Sequence, residues 1–134
     1  MKFLVFIGLF ALLLSCKDQE IKGQYFNGQI ELGKDQTVKL SSAGQASLTI
    51  NGIQDNRCPP NAFCVRAGEL IVDLTATQDG STVPLSLCTG PDCQTLQKGK
   101  ATKATINVGN KVWTIELINT LNADGKVALK VLIQ

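Results

Sequence analysis

Apolar and polar positions follow two different rules along this chain. From Phe3 to Leu14 twelve consecutive residues are apolar or glycine, with Lys2 ahead of them and Ser15 and Cys16 behind. A positive start, an apolar core and a small residue at the end form the layout of an export signal peptide. As a helix the run would span about 18 Å, well short of a hydrocarbon core of about 30 Å, so it reads as a removable leader and not as a membrane span.

From Gln29 onward the apolar residues recur with period two. Ile30 and Leu32 form one such group, followed by Val38 with Leu40, and then Leu48, Ile50 and Ile53. Leu70, Val72 and Leu74 come next, then Val83, Leu85 and Leu87, then Ile106 with Val108. Trp113, Ile115 and Leu117 precede a last group of Val127, Leu129 and Val131. Alternation on this scale places one face of a strand against a core and the other in water, so eight short strands are expected. Gly109-Asn110 fits a two-residue hairpin, and Asp79-Gly80, Gly33-Lys34-Asp35 and Asn122-Ala123-Asp124-Gly125 supply three further turns. No helical periodicity competes. The pattern predicts an all-β fold, a single antiparallel β-sandwich or partly closed barrel, over residues 29–134.

Loss of residues 1–15 removes only Lys2 of the 13 basic side chains, leaving 12 against 11 acidic ones and a net charge near +1. That balance gives no electrostatic footprint for nucleic acid. Lys98, Lys100 and Lys103 stand close in sequence, but beside Gly99 and two threonines they read as a solvated loop. The remaining 119 residues suffice for one core, small enough that disulfides would help it.

Leu13-Leu14-Ser15-Cys16 resembles the lipobox of bacterial lipoproteins, whose cysteine is acylated and becomes the mature N-terminus. The cysteine count agrees, because five cysteines leave one over and Cys16 stands apart from two close pairs. The resemblance implies a membrane anchor through lipid on Cys16, since two or more acyl chains hold a protein stably on a bilayer. Residues 16–28 then form the lipidated cysteine and a tether. Within it, Lys17-Asp18-x-Glu20 resembles the charged export signal of surface lipoproteins in the Bacteroidetes group, which implies the outer membrane, facing the periplasm or the cell surface.

The least generic stretch runs from Asp55 to Glu69. Cys58 and Cys64 are separated by five residues, of which Pro59 and Pro60 already restrict φ, and Cys88 and Cys93 bracket the turn-forming Thr89-Gly90-Pro91-Asp92. Four cysteines permit three connectivities, and neighbour pairing, 58 with 64 and 88 with 93, is the expectation. Asp55 is expected to cap a turn through its own backbone and Arg57 to bind that carboxylate or the carbonyls of the ring. Arg57, Pro59, Pro60, Phe63 and Arg66 could instead make a partner-binding loop anchored by Phe63, because a clamped loop loses little entropy on binding. The segment also resembles an Asp-x-Arg-Cys-Pro-x4-Cys-x-Trp-x-Gly pattern of small exported bacterial β-proteins of uncharacterised function. Asp55, Arg57, Cys58, Pro59, Cys64 and Gly68 match it, whereas Arg66 replaces the tryptophan.

Histidine is absent, which removes the commonest general base and metal ligand together. A four-cysteine zinc site has the ligand number but not the usual spacing, and export favours oxidation. Asp73, Asp79, Asp92, Glu116 and Asp124 show no calcium-loop spacing, and no phosphate-binding glycine loop is present. No metal or cofactor is expected, and Trp113 reads as core. The expectation is therefore a lipid-anchored envelope module that binds a protein or envelope component without catalysis. Two alternatives stand beside it: a protease-inhibitor-like contact through the Cys58–Cys64 loop, and a small hydrolase if two of Asp73, Asp79, Glu116 and Asp124 face each other in a cleft.

Overall fold

The computed structural model describes residues 26–41, 45–97 and 99–134, with the backbone alone at 119–121. The leader, Cys16 and the charged tether lie outside the described residues. The chain forms β1 (Asn27–Leu32), β2 (Thr37–Lys39), β3 (Ala46–Asp55), β4 (Leu70–Gln78) and β5 (Ser81–Thr89). A single helical turn, α1 (Cys93–Leu96), precedes β6 (Lys103–Val108), β7 (Lys111–Leu121) and β8 (Val127–Ile133). The strands make two antiparallel four-stranded sheets, β1-β8-β7-β6 and β2-β3-β4-β5, which pack as a sandwich and do not close into a barrel.

Alternation in the sequence becomes the two faces of each sheet. Leu48, Ile50, Leu70, Val72, Leu74 and Leu87 of one sheet meet Trp113, Ile115, Leu117, Val127, Leu129 and Val131 of the other, all buried. Each such side chain contributes about 1.5–3 kcal/mol on burial. The opposite faces carry hydroxyls and amides paired across strands, as in Thr37 with Thr49 at 2.8 Å and Asn51 donating to Thr75 at 2.7 Å. At the β4–β5 turn Asp79 and Gly80 both take positive φ, 50° and 81°, which matches the twist of a two-residue hairpin.

Three local features depart from simple alternation. β1 begins at Asn27, before the expected boundary at Gln29, because Ile133 N–H donates to Phe26 C=O at 2.8 Å and extends the ladder. β3 carries a bulge between Ile50 and Gly52, where Ile50 also exchanges backbone bonds with Asp35 and Gln36. Residues 101 and 102 stitch the sheets together: Cys88 N–H donates to Ala101 C=O at 3.0 Å, and Leu117 N–H to Thr102 C=O at 2.8 Å.

The sandwich has two distinguishable poles. Phe26 enters at one, beside the mutual backbone bonds of Val112 and Gln134 and the Gly109-Asn110 turn. That turn packs on Gln78, where β4 ends, so both sheets share this entry pole. β4 runs nine residues from Leu70 to Gln78, and at about 3.3 Å per residue its other end lies roughly 26 Å away. There the chain makes the β3–β4 loop.

Candidate functional site: a disulfide-clamped loop

β3 and β4 keep pairing past their ends. Asn56 N–H donates to Glu69 C=O and Cys58 N–H to Ala67 C=O, both at 2.9 Å. Cys58 and Cys64 then pair across the base at disulfide distance, with their Cα atoms 5.9 Å apart. Inside the ring Pro60 and Asn61 turn the chain, and Ala62 N–H donates to Pro59 C=O at 3.1 Å. Proline just inside such a turn is already at the required φ.

Asp55 and Arg57 hold the approach to the ring as expected. Arg57 donates its backbone N–H to Asp55 Oδ1 at 3.2 Å, Nε to Oδ1 at 2.7 Å and Nη2 to Oδ2 at 2.8 Å. These hydrogen bonds hold the Asp55 carboxyl below the usual carboxylate range and raise Arg57.

A second brace comes from the other cysteine loop. Gly68 has φ +82°, and a Cβ there would lie 2.0 Å from Asn56 O. Its N–H donates to Asp92 Oδ2 at 2.8 Å, and Gly90 packs so closely that a Cβ would sit 2.8 Å from Gly68 O. Only glycine fits either position, so the two loops are locked backbone to backbone. Cys88 and Cys93 also pair at disulfide distance, with Cα atoms 5.7 Å apart. They are buried with Ile71 on the outer face of β2-β3-β4-β5, because Ile71 pairs with Cys88 and points away from its neighbours Leu70 and Val72.

This bracing displays side chains without burying them. Phe63 and Val65 are fully exposed, at 109% and 103%, and Pro59, Pro60 and Arg66 are also exposed. Phe63 was legible in the sequence, whereas Val65 was not singled out there.

The other sequence candidates do not converge. Asp73 accepts from Ser86 Oγ at 2.6 Å on the outer face of one sheet, and Glu116 lies on the other sheet in register with Lys103 and Lys130. Asp79 is in the β4–β5 turn at the entry pole, Asp124 is in the β7–β8 turn, and Asp92 is engaged with Gly68. Among the described residues no group of three or more His, Cys, Asp or Glu side chains is arranged to hold a metal ion. Lys100 and Lys103 flank an open groove with Gly90, Gln94 and Thr102, and Lys98 lies outside the described residues. Trp113 is fully buried.

Fold and site together define an all-β sandwich with two cysteine pairs that projects a braced apolar loop from one pole. Set against protein-family models, curated proteins and solved structures, the chain matches none.

Proposed function

We propose that this protein is a lipid-anchored, non-catalytic binding module of the bacterial cell envelope. Cys16 carries the lipid that holds it on the outer membrane, and the Cys58–Cys64 loop engages a protein or envelope component. One observation supports this reading above the rest: a disulfide, a bidentate ion pair and an obligatory glycine fix the shape of a segment whose residues 61–67 are all exposed. The core gains nothing from Phe63 and Val65, so the rigidity serves what they touch. Preorganisation of this kind raises affinity by reducing the ordering cost of binding. The missing histidine and the scattered carboxylates favour binding over catalysis, and a net charge near +1 favours partners other than nucleic acid.

Labelling cells with a clickable palmitate analogue tests the anchor. The wild-type chain should take up label and fractionate with outer membrane, and Cys16→Ala should do neither; a labelled Cys16→Ala protein would refute the reading.

The loop also supports a narrower second reading, protease-inhibitor-like contact. Phe63 stands fully exposed directly before a disulfide cysteine, the presentation an inhibitor gives to a protease with an aromatic pocket. Unchanged chymotrypsin activity at micromolar protein would remove it.

A further inference from the structure

We infer that the Cys58–Cys64 pair is a thiol–disulfide exchange site, opened by a dithiol while the domain stays folded, and that Cys64 carries the sulfur attacked. The inference goes beyond the binding reading and does not need it. Exchange requires a thiolate to reach a disulfide sulfur, so access selects which bond reacts. Cys64 is exposed, and Cys58 is partly exposed beside an open hollow lined by Asp55, Arg57, Pro59 and Pro60. The second pair supplies the contrast within the same chain. Cys88 is 0% and Cys93 3% exposed, both packed with Ile71, and Cys88 N–H is held by Ala101 C=O. A thiolate reaches that pair only after the outer face of β2-β3-β4-β5 opens.

The neck of the loop does not depend on sulfur. Asn56 N–H to Glu69 C=O, Cys58 N–H to Ala67 C=O, Asn56 Nδ2 to Glu69 Oε1 at 3.2 Å, Arg57 to Asp55 and Gly68 N–H to Asp92 all hold it without the cross-link. Acceptors also stand ready for the freed sulfur, because Cys58 Sγ lies 3.4 Å from Ala62 C=O and 3.7 Å from Pro59 C=O. A thiol there donates a weak hydrogen bond that a disulfide sulfur cannot. The first thiolate of the dithiol attacks Cys64 Sγ, the S–S bond breaks, and Cys58 leaves as a thiolate that takes up a proton from water. The second thiol of the dithiol, deprotonated, then attacks its own partner sulfur in the mixed disulfide and releases Cys64, which is protonated in turn. Two electrons pass to the protein, and the dithiol departs as its disulfide. Reduction therefore releases residues 59–63 from their ring and leaves both sheets as they are, a reversible change in the shape of an exposed segment.

The test treats full-length protein with dithiothreitol in native buffer, quenches over time with N-ethylmaleimide and maps the alkylated cysteines by peptide mass. Fluorescence of Trp113, fully buried, reports on the core. Cys58 and Cys64 should be alkylated at least about tenfold faster than Cys88 and Cys93, because access governs the rate. Trp113 emission should stay that of a buried indole throughout. Reduced thioredoxin in place of dithiothreitol separates the sources of the dithiol: opening by both supports the site with a protein reductant, and opening by dithiothreitol alone supports it with a small one. Brief trapping with glutathione should place the mixed disulfide on Cys64 and the alkyl group on Cys58, and the reverse would overturn the choice of sulfur. Equal rates for the two pairs, opening only together with a red shift of Trp113, or no opening short of denaturant would each overturn the inference. So would alkylation of Cys58 and Cys64 before any reductant is added.

Discussion

The two cysteine pairs of this protein enclose rings of nearly equal size, five and four residues, yet they act on opposite sides of the solvent boundary. Cys88 and Cys93 are buried with Ile71 and close a small second core on the outside of a sheet. Cys58 and Cys64 sit in a segment that is exposed from Asn61 to Ala67, and neither belongs to a hydrophobic cluster of the described residues. Equal rings give similar chain-entropy terms. What differs is burial, which makes one pair part of the fold and leaves the other to shape a surface.

Substituting the buried pair should therefore have the largest effect. Cys88→Ser with Cys93→Ser loses the cross-link and leaves two hydroxyls in an apolar site, and should cost about 3–5 kcal/mol by urea unfolding. Cys58→Ser with Cys64→Ser should cost only about 2 kcal/mol, the cross-link alone. Equal losses would abolish the contrast between the two.

Gly68 joins the regions and offers the next test. Gly68→Ala forces a Cβ onto Asn56 O at positive φ and should destabilise the protein by about 2–4 kcal/mol. Gly125→Ala meets positive φ but open space, so about 1 kcal/mol is expected there. Matching values would mean that the close approach of Gly68 to Asn56 contributes nothing.

The Asp55–Arg57 clamp should matter least of these, because both side chains remain partly exposed, and Asp55→Asn should cost under about 1 kcal/mol. Its sign with pH is definite. The folded Asp55 carboxyl titrates below its unfolded value near 3.8, so its contribution is complete above that value and is lost as pH falls through the folded one. Stability measured from pH 6 down to 2 should therefore converge for wild type and Asp55→Asn at the acid end.

Much of the sandwich was legible in the sequence because strand alternation and turn residues are local. All eight strands, the Asp79-Gly80 and Gly109-Asn110 turns, both cysteine pairings and the Asp55–Arg57 contact are read from neighbours. The bracing between the loops was not, because the contact of Gly68 with Asp92 joins residues 24 apart through backbone geometry that leaves no periodic trace. A usable signal did exist for the buried pair. Ile71 breaks alternation between Leu70 and Val72, and three consecutive apolar residues mark a strand covered on both faces. Val65, fully exposed, carried no such signal.

Phe63 and Val65 are presented by the fold without supporting it. The most direct measurement is the unfolding free energy of full-length protein carrying Phe63→Ala and Val65→Ala together. A value within about 0.5 kcal/mol of wild type is expected, as for surface side chains with no structural contacts. A loss of about 2 kcal/mol or more, the range for removing buried apolar side chains, would contradict it.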